Sequence, residues 1–183
     1  MLTGMLEPTE GYAKVSGKDI RTDMNSIRQE IGICLQHDCL FPEMTVREHV
    51  QFFARIKGLY ARVSRAEAEA KIDQSIQDVA LAEKRHTLSK NLSGGMKRKL
   101  SVAIAFCGDS KTVLLDEPTS GMVCTRVRIV FLFALSPFSF LGVFLQDPFS
   151  RRFTWNVIRQ YRQDRCIILT THFMVSIAVL PSI

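Results

Sequence analysis

An α/β fold built on a parallel sheet is what this sequence predicts, on three observations. Compact apolar runs lie at 31–35, 112–115 and 166–171, and they stop at Gln36, Asp116 and His172. Segments with apolar residues at helical spacing fill the intervals between them. Continuous apolar strands joined by helices are the pattern of a parallel sheet rather than of alternating hairpins. The 183 residues, 46% hydrophobic and 23% charged, suit one domain of ordinary size or part of a larger one.

Those proportions exclude a collagen-like, low-complexity or wholly disordered chain. Lys and Arg number 24 against 18 Asp and Glu, a scattered excess of +6 that indicates no nucleic-acid partner. The five cysteines (Cys34, Cys39, Cys107, Cys124 and Cys166) form no C-x-x-C pair and no zinc-spaced cluster. Reduced, mostly buried thiols in the cytosol are expected. The first residues lack the basic and apolar regions of a signal peptide.

In chain order, residues 1–17 predict a helix end or turn and then a short strand over 12–15, punctuated by Gly4, Pro8 and Gly11. The run at 31–35 predicts a buried strand opening into a polar loop. Thr45 and Glu48 have capping-box spacing ahead of a helix carrying Val50, Phe53, Ala54 and Ile56. Ser64 and Glu67 repeat that spacing loosely before a helix with Ile72, Ile76, Val79 and Ala80 on one face. After Leu92-Ser93-Gly94-Gly95, a third helix places Met96, Leu100, Ala103, Ile104 and Cys107 on one face. Lys97, Arg98 and Lys99 are expected to point mostly away from it. The strand at 112–115 stops at Asp116-Glu117-Pro118, and the last strand stops at His172.

The segment 123–146 breaks this pattern. It holds no acidic residue, two arginines and five of the chain's twelve phenylalanines. Without it, Asp147 becomes an N-cap with Pro148 at the first position of a helix carrying Phe153, Val157, Ile158 and Tyr161. The crossover from Glu117 to Arg165 then shortens from 49 residues to 25, an ordinary βαβ length. Three readings compete: a membrane span over 129–145, interrupted by Pro137; a buried core helix; and foreign sequence from a splicing or annotation error. The third is preferred. A Val codon beginning GT and a Gln codon CAG are the two ends of an intron, and the pyrimidine-rich tract before CAG reads as Phe, Leu, Ser and Pro.

Four sets of residues carry chemistry. Asp116 and Glu117 end an apolar strand, where ligands bind in open parallel sheets. One carboxylate there can hold Mg²⁺ and its neighbour can orient an attacking water, although an isolated Asp-Glu pair after a strand is more often the start of a solvated turn. Ser93, Gly94 and Gly95 at a helix N-terminus form an anion site or, as readily, an ordinary capped helix. His172 past one strand could contact a γ-phosphate, and Gln36 past another could meet a metal and an attacking water. Either alone reads as structural.

Taken in order, Gln36, then Leu92-Ser93-Gly94-Gly95-Met96, then Leu114-Leu115-Asp116-Glu117-Pro118, then Thr171-His172 resemble the Q-loop, signature, Walker B and switch histidine of an ABC transporter nucleotide-binding domain. The run at 92–105 is similar to that of subfamily A, the lipid exporters, whose signature ends in Met. The run at 40–49 is also similar to that subfamily. The resemblance covers 1–174 apart from 123–146. It implies a P-loop-NTPase-like α/β fold with a parallel sheet and a helical signature subdomain at about 46–110, lacking the Walker A strand and loop.

The resemblance also implies roles. Two nucleotide-binding domains would sandwich two ATP molecules, so Ser93, Gly94 and Gly95 would contact the γ-phosphate of ATP held by the partner domain. Gln36 and Asp116 would serve Mg²⁺, Glu117 would act on the attacking water, and His172 would sense the γ-phosphate. Asp147 would belong to the D-loop at the domain interface, and the residues after Gln36 would face the transmembrane domains. The implied partners are a second nucleotide-binding domain, those transmembrane domains and a lipid cargo, at the cytosolic face of a membrane.

Departures accompany the likeness. No G-x-x-x-x-G-K-[ST] occurs in the sequence, so the main phosphate cradle is absent from it. The domain is expected to be truncated before Met1 and after Met174, the adenine-stacking aromatic is missing, Leu35 replaces a usual Pro, and the 24-residue insert splits the D-loop. Little or no ATPase activity is therefore expected of these residues alone, which would be cytosolic or aggregated. Two other functions compete: a non-functional read-through product, and a small membrane-anchored protein spanning at 129–145.

Overall fold

A computed structural model of the chain describes residues 1–118, 148–162 and 164–170. Two short strands, β1 (Lys14–Val15) and β2 (Lys18–Asp19), pair antiparallel around Ser16 and Gly17. Both turn residues have positive φ, 52° and 80°, the twist that a two-residue hairpin requires. The predicted single strand over 12–15 is thus one arm of a hairpin, and Tyr12 is 83% exposed. Helix α1 (Met24–Glu30) follows, and Val15, Ile20 and Ile27 form a small core of their own.

The parallel sheet is present with the predicted strands. β3 (Ile31–Cys34), β4 (Thr112–Asp116) and β5 (Cys166–Thr170) lie in the order β3-β4-β5, all parallel. Ile31 aligns with Thr112, and Thr112 with Cys166. Cys34, Val113, Leu115, Ile167 and Leu169 share one face and belong to the main core. The opposite face carries Ile33, Leu114 and Ile168, the last 39% exposed. Continuous apolar runs foretell burial on both faces; on this second face Ile31 and Thr112 are buried and Ile33 and Leu114 half-buried, while Ile168 lies open.

Four helices lie between β3 and β4: α2 (Val46–Ile56), α3 (Leu59–Arg62), α4 (Arg65–Asp78) and α5 (Gly94–Phe106). The capping box of α2 is complete: Glu48 N–H donates to Thr45 Oγ1, and Glu48 Oε2 accepts from Thr45 N–H at 2.8 Å. Val46, Val50 and Ala54 are fully buried, whereas Ile56 is 62% exposed and off the predicted face. Ser64 caps α4 by accepting from Glu67 N–H at 3.2 Å, and Ile72, Ile76 and Val79 are buried as expected. Ala80 is not, because α4 ends at Asp78 and Ala80 turns out with φ 52°.

Helix α6 (Pro148–Gln160) contributes Val157 and Ile158 to the same core. One apolar cluster thus joins α2, α4, α5 and α6 to the sheet. Helix α5 lies directly on β3: a Cβ at Gly32 would sit 1.9 Å from the Ala105 carbonyl oxygen. Glycine is required there by that close approach. The segment 123–146 lies outside the described residues. Among those described, no helix is long and apolar enough to cross a membrane.

Candidate functional site

Three of the predicted residues meet at the carboxyl end of the sheet. Gln36 follows β3 by two residues, Asp116 ends β4, and Glu117 comes next. Because the strands are parallel and adjacent, both exits open on the same edge. Gln36 Nε2 donates to Glu117 Oε2 at 3.3 Å across 81 residues of sequence. Thr170, opposite Asp116 in the register with β5, donates its hydroxyl to Asp116 Oδ1. Glu117 has φ 44°, the left-handed region that a non-glycine residue enters at a cost. Its N–H is held by the Thr170 carbonyl at 3.2 Å.

Ser93, Gly94 and Gly95 open α5. Ser93 is the N-cap, accepting from Met96 N–H at 3.3 Å, and Ser93 and Gly94 are exposed. A Cβ built at Gly95 meets nothing within 4 Å, so an approaching group finds open backbone N–H donors there. The predicted Asp147 and His172 lie outside the described residues.

Arg98 is the residue that sequence reasoning misplaced. It was expected to point away from the apolar face with Lys97 and Lys99, yet it is 1% exposed. Its apolar stem runs through the core and its guanidinium ends under the two strand exits. Nε donates to the Pro118 carbonyl at 3.1 Å. One terminal nitrogen, Nη2, donates to the carbonyls of Asp116 at 2.5 Å and Glu117 at 2.7 Å. The other, Nη1, reaches the Leu35 carbonyl, the Gln36 carbonyl at 3.3 Å and Asp38 Oδ1 at 3.4 Å. Ser101 donates to the same Asp38 oxygen at 2.7 Å. The one sequence signal that sets Arg98 apart from its lysine neighbours is that it is the only guanidinium in the run 96–105, and only a fork reaches so many acceptors.

The donor set at the strand ends suits a hard divalent cation. Asp116 supplies a carboxylate, and Gln36, whose amide nitrogen is spent on Glu117, still presents its carbonyl oxygen. Among the described residues no cluster of three or more His, Cys, Asp and Glu could hold a metal unaided. Asp116 and Gln36 therefore fit as a partial ligand set for Mg²⁺, whose remaining positions phosphate and water usually fill.

The ABC transporter family matches residues 1–120 of the chain. Over 174 residues, 95% of its length, the chain is 42% identical to ATP-binding cassette sub-family A member 2 of Rattus norvegicus, and it spans 6% of that protein. It is likewise 42% identical over 95% of its length to the retinal-specific phospholipid-transporting ATPase ABCA4 of Homo sapiens, again 6% of that protein. A solved structure described as an ATP binding subunit of an ABC transporter superposes with a TM-score of 0.69 at 21% identity. The superposition covers 94% of this chain and 60% of that one, a likeness of fold.

Proposed function

Since this chain belongs to the ABC transporter family and carries a nucleotide-binding domain of the subfamily A type, we propose that its residues serve a transporter that couples ATP binding and hydrolysis to moving lipid across a membrane. The observation that carries the reading is the meeting of Gln36 and Glu117 at the strand exits beside Asp116. In this reading Asp116 and the Gln36 carbonyl hold Mg²⁺, which when bound neutralises charge on the phosphates. Glu117 holds the attacking water. Gln36, bonded to that carboxylate, orients it. Ser93, Gly94 and Gly95 turn their N–H donors toward the γ-phosphate of a nucleotide bound by a second domain. Asp147 and His172 complete the interface and the phosphate contact. Support for the lipid cargo is the name of one relative, a phospholipid-transporting ATPase.

Because no Walker A occurs in these 183 residues, the expected division of labour is in trans. The purified chain alone turns over no ATP. Added to a subfamily A nucleotide-binding domain that keeps its own Walker A but has its signature serine disabled, it restores turnover, and Ser93→Arg abolishes that gain. Failure of the unsubstituted chain to restore turnover overturns the reading for these residues, and turnover by the chain alone that is lost in Glu117→Gln overturns the division of labour in trans. We read 123–146 as foreign to the domain; a transcript in which the codons for Met122 and Asp147 are adjacent supports that, and one carrying the 24 codons between them refutes it.

A further inference from the structure

We propose that Arg98 is the positioning residue that sets the Gln36–Glu117 alignment and ties it to the signature end of α5, an inference that rests on reading the strand exits as the ATPase site. The guanidinium has five N–H donors. Between them they reach five main-chain carbonyls, those of Leu35, Gln36, Asp116, Glu117 and Pro118, and the Asp38 carboxylate. Two of the carbonyls lie on the β3 exit and three on the β4 exit, so a single side chain fixes the separation of both.

The Gln36–Glu117 bond spans the same two exits. Its 3.3 Å length leaves little reach, and a small drift of either exit breaks it. The Glu117 backbone, held at φ 44°, also relies on bonds at both of its ends: Thr170 O takes its N–H and Arg98 takes its carbonyl. Arg98 stands five residues beyond Ser93 on one continuous helix. A displacement of the exposed Ser93-Gly94-Gly95 end is therefore delivered to the two carboxylate-bearing exits through a buried charged fork rather than through soft apolar packing. Lysine cannot substitute. Its ammonium is a point donor that satisfies one exit and leaves the other's carbonyls unpaired.

The test is an NMR measurement on the full 183-residue chain without nucleotide, so it does not depend on ATP turnover. The side-chain amide pair of Gln36, assigned by its loss in Gln36→Glu, and the Glu117 carboxylate carbon report the bond directly. In Arg98→Met and in Arg98→Lys both signals move to the positions of a free glutamine and a free glutamate. Ile72→Val, which loosens the core away from the site, lowers the melting temperature and leaves both signals in place. Unshifted signals in a folded Arg98→Lys overturn the proposal even if Arg98→Met does not fold. Equal shifts in Ile72→Val also overturn it, because they make the effect one of general stability. Shifted Arg98 signals beside a failed trans-complementation assay overturn the ATPase reading alone.

Discussion

Phe41 donates its main-chain N–H to Nε2 of the fully buried His49 at 2.9 Å, eight residues further along the chain. Nδ1 of that ring meets the Thr45 carbonyl at 2.8 Å. A carbonyl only accepts, so Nδ1 carries the proton and Nε2 is bare: the ring is neutral and pins the loop after Gln36 to α2. Burial pushes the His49 pKa below its ordinary 6.5, against the opposing pull of the Thr45 carbonyl and Glu48. The unfolded chain takes up this proton first, so the stability due to His49 is complete above about pH 6.5 and declines as pH falls below it. Glu30, Glu48 and Glu69 have pKa values lowered from 4.5 and act only at lower pH. The melting temperature should drop between pH 7.5 and 5, and drop less in His49→Phe. Equal drops in the two chains would show that His49 is not the titrating group.

Thr45→Ala removes the acceptor for Glu48 N–H and frees the Glu48 carboxylate from its hydroxyl donor. A loss of about 1 kcal/mol is expected from denaturant melts. A change near zero would mean that the α2 terminus is held by Val46 and the long-range bond from Val46 N–H to the Thr87 carbonyl instead.

Two glycines should respond in opposite directions. Gly32→Ala drives a methyl into the Ala105 carbonyl, which sits on backbone that cannot yield without parting α5 from the sheet. The expected cost is about 3 kcal/mol or more. Gly95→Ala meets open space inside a helix and should gain about 0.5 kcal/mol. The same methyl intrudes on the proposed phosphate cradle, so the gain in stability comes with loss of trans-complemented turnover. Unimpaired turnover in Gly95→Ala would remove Gly95 from the cradle.

Among the cysteines, Cys34 and Cys107 are buried, and burial pushes their thiols up to about 11. Cys39 and Cys166 are exposed. Iodoacetamide at pH 7.5 should modify Cys39 and Cys166 in the native chain and reach Cys34 and Cys107 only on unfolding. Native labelling of Cys34 at the rate of Cys39 would show that α5 and β3 part readily.

The strands of the parallel sheet, the helices α2, α4, α5 and α6 and the caps of α2, α4 and α5 were legible because each rests on residues within a turn of one another, whereas the short helices α1 and α3 were not foreseen. Thr45 and Glu48 specify the start of α2, Ser93 caps α5, and the run from Thr112 specifies a strand that stops at Asp116. The order of Gln36, Ser93, Asp116 and Glu117 likewise identified the family from the sequence alone. The β1–β2 hairpin escaped because it turns on Ser16 and Gly17 with only two residues in each strand, too few for a period to show.

Which residues meet was another matter. The bond from Gln36 to Glu117 closes over 81 residues and exists because β3 and β4 are parallel neighbours in one register. Arg98 reads as one cation in a solvated row, since local pattern counts charge against burial. Only the assembled strand exits, gathering acceptors from 35–38 and 116–118 around one guanidinium, make its burial favourable. Sequence determined the parts and their chemistry because propensity and capping are local. Tertiary structure decided the site because satisfying a buried charge requires partners that only the folded sheet brings together.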